Sequence, residues 1–437
     1  MEPWKRTLAV AAVAQTFSIV GFNFFTPFLP LFVQELGVHG TTDVTFWAAL
    51  LAGGSAISMA VAAPLWGVLA DRHGRKIMLV RAMFSAALII GVAGLVQNVY
   101  ELLLLRMLQG AFTGTVTASQ ALVSSQSPRE RMGFSLGVMQ TAIFLGVSIG
   151  PLLGGLTADT VGFRLSFAIA GAILFCGGVL IVFFVHEVRA NVQERSVESA
   201  RVWSNMRDGL TTPGLLPMVA AVFAVEFAVT VVGPVLPQFV QYLQGPGGHA
   251  ATVTGLIFTG GGIAGAISSI GAGALADQLG YRRVIVIAAL AAAIFSVPQF
   301  FVSATWQLFV LRIAMGFAMG AIMPSASALL ASLVPSEKRG TAYGLSGSAT
   351  ALGFAAGPLT AAAVVSVAGI RPVFLTAAVM MAAIAGWVGV MVSSPAEVDE
   401  PAWAQAGHIS ASTGSDSPRS PRTGLRDRRP AASSRHE

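Results

Sequence analysis

A chain of 437 residues with 54% hydrophobic and only 11% charged residues is far from a soluble domain, in which about a quarter of residues are charged. Mean hydropathy is +0.73, and apolar runs of roughly 18 residues or more, long enough to cross a hydrocarbon core, recur along the chain. The sequence therefore reads as a polytopic membrane protein. A formal charge of +6 would by its total alone suit nucleic acid; where the charges fall excludes that partner.

Twelve spans are predicted in chain order. The first, Leu8–Val33, follows Lys5 and Arg6 like a signal peptide but runs on without a small-residue cleavage site, so it is read as retained. Next come Phe46–Ala70, Ile77–Gln97, Tyr100–Ser124, Phe134–Ala158 and Phe163–His186. The break at 187–213, rich in Arg, Glu and Ser, has the composition of a solvated linker, part of it suited to lie on the membrane as an amphipathic helix. The second set is Leu215–Tyr242, Thr252–Ala276, Val284–Ser303, Trp306–Leu333, Thr341–Val367 and Pro372–Val392. The tail, 394–437, is Ser, Pro and Arg with little to bury, and disorder is expected there.

Of the 26 Lys and Arg residues, Arg106 and Arg312 lie near spans, and Arg164 and Arg371 lie in one set of loops. The rest are assigned to the alternate loops and the two tails. That is the positive-inside distribution, which predicts a multi-pass protein of the plasma or inner membrane with both termini cytoplasmic. Lone Cys176 excludes an internal disulfide and is read as apolar filler.

The chain is also duplicated. GVLADRHGRK (67–76) returns, weakened, as GALADQLGYRR (273–283), with Asp71 matched by Asp277 and Gly74 by Gly280. Pro27 and Pro30 match Pro234 and Pro237, Gln34 matches Gln241, and Arg106 matches Arg312. Gly146, Gly150 and Pro151 match Gly353, Gly357 and Pro358, all at offsets of 206 or 207. An even number of spans per copy makes the copies parallel, with a cavity at their interface. The expected architecture is all-α, two pseudo-symmetric six-helix bundles: 1–186 and 214–393, joined by 187–213.

These residues carry a resemblance. GVLADRHGRK is similar to the loop signature between spans two and three of the major facilitator superfamily. LLRMLQGAFTG (104–114) resembles its span-four motif with an intramembrane arginine. GVSIGPLLGG (146–155) is similar to its span-five antiporter motif. PFLPLFVQELGV (27–38) and the opening WKR resemble the twelve-span drug:proton antiporters, in particular the branch exporting fosfomycin and bile-acid-like compounds. The resemblance covers roughly 7–393 and implies efflux of amphipathic compounds driven by proton entry. It implies a proton-coupling role for Arg106, a cytoplasmic latch built on Asp71 with Gly67, Arg72, Gly74, Arg75 and Lys76, and a proton seal at Gly146, Gly150, Pro151, Gly154 and Gly155. Gln278 and Tyr281 in place of the basic residues, and Ala361 and Ala362 in place of the terminal Gly pair, depart from it.

Taken physically, Glu226 is an acid near the middle of span seven. A charge there is expensive, so Glu226 should bind protons near physiological pH unless a cation pairs with it. It is read as the coupling site or a counter-ion for a cationic drug, against a structural carboxylate in a polar cavity. Arg106 and Arg312 either snorkel or turn inward; both facing inward would favour anionic cargo. The charged loop by itself equally serves as a topology signal, and the span-five glycines equally serve close helix packing. Phe24, Phe28, Phe227 and Met319 are candidates for an adaptable cavity wall, as are Phe22, Phe25, Phe223, Met315 and Met323, although packing or lipid contact is the simpler reading for most. Gln15 and Asn23 are better polar contacts, since an uncompensated amide in lipid is costly. GGGIAG (260–265) fits a dinucleotide pattern but lies inside a span without a preceding strand, and reads as helix packing.

No phosphate-binding lysine loop, metalloprotease motif or nucleophile elbow is present. The chain is thus not read as an enzyme, and no cofactor or metal is called for. The partners expected are a small-molecule substrate, protons and the bilayer, with the protein a monomer. The principal reading is a proton-coupled exporter of amphipathic small molecules by alternating access. The alternative is a facilitator or proton-coupled carrier for a small metabolite, an anionic one where Arg106 and Arg312 both face inward.

Overall fold

The computed structural model describes residues 3–128, 131–185, 215–245, 247–333 and 339–392. The linker 187–213 and the tail 394–437 lie outside them, as do Glu130 and Glu337. Among the described residues the structure is helical, without strands. Lipid leaves no other choice for an open chain, because each backbone N–H and C=O must find its partner within the segment.

The first half comprises α1 (Pro3–Phe24), α2 (Leu29–Glu35), α3 (Thr41–His73), α4 (Arg75–Ala93), α5 (Val99–Phe112), α6 (Thr115–Gln126), α7 (Met132–Val161) and α8 (Phe163–Phe184). The second comprises α9 (Leu215–Thr230), α10 (Leu236–Gln244), α11 (Ala250–Leu279), α12 (Tyr281–Ser296, continued by a 3-10 turn, Val297–Phe301), α13 (Thr305–Met319), α14 (Ile322–Leu333), α15 (Arg339–Ala368) and α16 (Pro372–Met391). Ten stretches among the described residues are long and apolar enough to cross a membrane. Counting the pairs α5–α6 and α9–α10 as one crossing each brings the number to twelve. The start of α1, the end of α16 and the turn at Gly74 then share one face, here the terminal face; the opposite one is the far face.

Spans one, four, seven and ten are not single helices. Each is interrupted: at 25–28, at Thr113–Gly114, at 231–235 and at Gly320–Ala321. Pro30 and Pro237 open the helices beyond the first and third breaks, where a missing N–H is tolerated. Gly114, at φ 125°, makes the second break. The connection read as a loop of several residues is shorter than expected. The α3 helix runs to His73, and Gly74 alone, at φ 99° and ψ 151°, turns the chain into α4. Its repeat partner Gly280 turns α11 into α12 at φ 86° and ψ 140°, backbone that only glycine adopts freely.

Packing repeats as the sequence does. α1 lies on α7 and α8, α4 on α8 and α3 on α5; α9 lies on α15 and α16, α12 on α16 and α11 on α13. An ideal Cβ on Gly146 would strike Ile19 and Thr16 O, and one on Gly150 would strike Val20 O and Asn23; Gly353 and Gly357 meet Phe223 O, Glu226, Phe227 O and Thr230 in the same way. The small faces let α7 and α15 close on α1 and α9. Between the halves, α7 packs on α11 and α15 on α3. Towards the far face one apolar core is shared by both halves, with Phe28, Phe32, Phe239 and Phe374 among its members. Towards the terminal face it divides into two separate cores, one around Leu79, Met83 and Ile181 and one around Met218, Ala289 and Val388. The halves are joined at the far face and parted at the terminal face. Large apolar side chains such as Leu88, Phe183, Ile270 and Val390 point outward, as a lipid-facing surface requires; Cys176, expected as filler, is exposed as well.

Candidate functional site

Between the halves lies a cavity of about 640 Å³. Three helix interruptions contribute to its wall: Phe25 and Thr26, with Pro30 just beyond them in α2; Gly233 and Pro234; and Gly320. Two charged side chains reach it from opposite halves, Arg106 on α5 and Glu226 on α9. Asn23, Ser148 and Thr230 add uncharged polar atoms, and the rest is largely apolar: Phe25, Phe144, Phe258, Phe354, Met319 and Met323. A larger, shallower depression of about 960 Å³ opens on the far face, lined by Gln34, Glu35, Asp159, Gln238 and Gln241. The smaller cavity is the better candidate, because it combines two opposite charges with an apolar wall inside the helical bundle.

Arg106 is held in place. Its Nη1 donates to Gln109 Oε1 at 2.6 Å, and its guanidinium stands 4.5 Å from the Phe25 ring centroid, a cation–π distance. Its Nε is buried without a partner. Arg312, the repeat equivalent, has the Met315 sulfur at 4.0 Å in place of an amide oxygen, because Met315 occupies the place of Gln109, and its guanidinium stands 5.8 Å from the Phe374 ring centroid. Two of its nitrogens are buried without partners, and it does not line the cavity. Glu226 stands where the first half has Ile19, its Cβ against Gly353. Its carboxylate has no hydrogen bond or ion pair among the described residues, and it faces the cavity.

The other expected residues separate by helix rotation. Asn23 and Met319 line the cavity. Phe24, Phe28 and Phe227 do not: they are buried in helix packing, Phe28 against Phe163 and Phe167 at 5.5 and 5.3 Å. Gln15 is fully buried and accepts from Ser119, joining α1 to α6 away from the cavity. Pro151 lines the cavity. Gly154 and Gly155 face different neighbours: a Cβ on Gly154 would lie 1.6 Å from Phe24 O within its own half, one on Gly155 2.2 Å from Ala251 O of the other.

Of the charged connection, Arg75 donates to Ala121 O and Lys76 to Val182 O at 2.9 Å. Arg282, the repeat partner of Lys76, donates to Gly389 O, which is the partner of Val182, so this tie persists in both halves. The side chains of Asp71, Arg72 and Asp277, and the surroundings of Gly67, lie outside the described set. Arg81, assigned to a loop by the charge count, sits instead within α4, its guanidinium 3.3 Å from the Trp66 ring centroid. Arg164 and Arg371, the far-face exceptions to the positive-inside pattern, each bind carbonyls where a preceding span ends. Arg164 donates to Gly94 O and Val96 O at 3.1 and 2.9 Å, and Arg371 to Phe300 O at 2.6 Å. Cations suit the negative end of a helix.

The sequence matches the model described as Major Facilitator Superfamily over residues 11–247 and 218–431. It is 34% identical over 398 residues to "Multidrug resistance protein MdtG" of Dickeya zeae (strain Ech586), covering 90% of this chain and 97% of that protein. The protein of the same name from Citrobacter koseri is 34% identical over 387 residues, 88% of this chain and 95% of its own. Among solved structures, a bacterial homologue of the human lysosomal transporter Spinster, inward-facing and occupied, aligns with TM-score 0.73 at 14% identity, over 90% of this chain and 97% of that one. The human organic anion transporter MFSD10 aligns with TM-score 0.64 at 19% identity, over 89% and 100%. At such identity these two speak for the fold alone.

Proposed function

The chain belongs to the major facilitator superfamily, and on that premise we propose that it exports amphipathic small molecules by proton-coupled alternating access. As a member it is a multi-pass membrane transporter of small molecules and not an enzyme. Its similarity to proteins named for multidrug resistance supports the cargo class. The proposed orientation follows the positive-inside distribution: terminal face in the cytoplasm, far face outside, in the plasma or inner membrane. The protein works as a monomer, because each half already supplies the other's missing wall.

The observation that carries the reading is Glu226. It is a carboxylate in the cavity between the halves, with no cation paired to it among the described residues. In the state described here, joined at the far face, the cavity would admit cargo from the cytoplasm. Glu226 gives up its proton there and takes another when the cavity turns outward, so each outward passage of cargo consumes one inward proton. Arg106, fixed by Gln109 and Phe25 on the opposite wall, holds a permanent positive charge that makes ionised Glu226 tolerable. The anionic-metabolite reading would need Arg312 on the wall as well, and Arg312 lies elsewhere.

Dye efflux from cells, with and without a protonophore, tests the proposal. Glu226→Gln, which keeps the shape and loses the proton site, is expected to abolish protonophore-sensitive export. Unchanged active efflux in that variant removes Glu226 from the mechanism.

A further inference from the structure

At the far face the halves meet along two seams related by the duplication, and the two are not alike. Equivalent residues meet at the centre: Gln34 and Gln241 exchange amide hydrogen bonds at 3.1 and 3.2 Å. On one side, α7 and α11 are fastened. His249 precedes α11 without capping it, and the N–H of Thr252, in the first turn, is taken by Asp159 Oδ2 at 2.7 Å from the other half. Thr252 Oγ1 donates to Gly155 O at 3.2 Å, and deeper in, Thr259 Oγ1 donates to Ser148 O at 2.6 Å. The backbones touch: a Cβ on Gly255 would lie 2.3 Å from Pro151 O.

The twin seam, α15 against α3, has lost each of these devices. Ser366 stands in the place of Asp159 and spends its hydroxyl on Ala363 O. Thr45, in the place of Thr252, donates to its own helix at Thr41 O; its one tie to the other half, a bond accepted from Gln238 Nε2 at 2.9 Å, runs to α10 and not to α15. Ala52 and Ala355 replace Thr259 and Ser148. Ala48 stands in the place of Gly255, and a Cβ on Gly53, further along α3, would find Ala355 O only at 3.6 Å, ordinary contact distance.

Asp159 is also placed so that its charge distinguishes open from shut. It lies in the last turn of α7, at the negative end of its own helix, where an acid is disfavoured; the first turn of α11 offers it a positive helix end. The first is present whether the seam is open or shut; closing supplies the second, which offsets it. We propose that Asp159 is a positioning residue of the transport cycle. It holds the α7–α11 seam shut, so that this seam, rather than α3–α15, governs how readily the cavity opens to the far face. The inference rests on the alternating-access reading above.

The test uses the full chain with Cys176→Ser and a reporter, Val229→Cys, on the cavity wall. In oriented vesicles, an impermeant maleimide supplied to the far face should label the parent slowly. Asp159→Ala should raise that rate about tenfold, the scale of a lost charged cap. Asp159→Asn should fall between, and Ser366→Ala at the twin site should match the parent. Parental labelling in Asp159→Ala, or equal acceleration in Ser366→Ala, overturns the proposal. If Asp159→Ala does not accumulate, Thr252→Pro removes the same bond from the donor side together with the hydroxyl bond to Gly155 O, in a helix first turn where proline is tolerated, and must show at least that rise. Export in the same vesicles keeps the readings apart. Unchanged labelling beside intact export refutes the latch alone, whereas a chain with Val229 in place that exports nothing refutes the transport reading whatever the labelling.

Discussion

Gly154 and Gly155 are neighbours on one helix, yet alanine at each should do different things. At Gly155 the added Cβ would lie 2.2 Å from Ala251 O, about 1 Å short of an ordinary carbon–oxygen contact. The obstructed atom belongs to the other half, so the strain exists only while the far face is shut. Overpacking by one methyl costs roughly 1–3 kcal/mol, which displaces a two-state equilibrium about 5- to 150-fold. Gly155→Ala should therefore shift the protein towards the far-face-open state with little loss of melting temperature. At Gly154 the Cβ would lie 1.6 Å from Phe24 O, within the same half. That clash persists in both states and should appear as lost thermal stability in detergent. Gly137→Ala, with nothing within 4 Å of its Cβ, is the control. The assay pairs thermal unfolding with far-face labelling of a cavity cysteine. The reasoning is refuted if Gly155→Ala loses as much melting temperature as Gly154→Ala and leaves labelling unmoved.

Removing Gln109 should free Arg106. Gln109→Leu loses a hydrogen bond to a charged group, worth about 1.5–3 kcal/mol, and export should fall steeply in transport assays while expression holds. The second half offers the converse: Met315→Gln gives Arg312 the acceptor that Arg106 already has, and should raise the melting temperature by a few degrees. Arg371→Ala leaves Phe300 O without its donor and should cost about 1 kcal/mol, read as a lower melting temperature with the cargo range unchanged.

The duplication was legible because it is written in proline and glycine, whose backbone demands survive divergence. Pairs such as Gly146 with Gly353 and Gly150 with Gly357 occupy matching contacts in space. Hydropathy located the spans for an equally local reason. It could not expose the interruptions, since a break beside Pro30 or at Gly114 leaves mean hydropathy unchanged. Helix rotation was the other hidden quantity. Phe24 and Phe25 are adjacent in the chain, but one is sealed against α7 and the other faces the cavity. Phe144, Phe258 and Phe354 went unnoticed because nothing in an apolar helix marks which side meets the partner half. Asp159 was missed for a related reason: its partner, the Thr252 backbone N–H, leaves no trace in residue identity. Arg164 and Arg371 were visible as exceptions to the charge pattern, and carbonyl capping explains them.

The interrupted helices have a consequence for how resistance to inhibitors or changes in cargo could arise. Where α1 gives way to α2, and α9 to α10, the turn amides still pair with carbonyls three or four residues back, but Pro30 and Pro237 lack an N–H, so the carbonyls of Thr26 and Gly233 lose the helical donor four residues on. The wall around Thr26 and Gly233 thus offers main-chain carbonyls to whatever enters. Peptide groups are the one chemistry that replacing a side chain leaves in place. A transporter that greets its guests partly with its own spine should keep a broad clientele through much genetic drift.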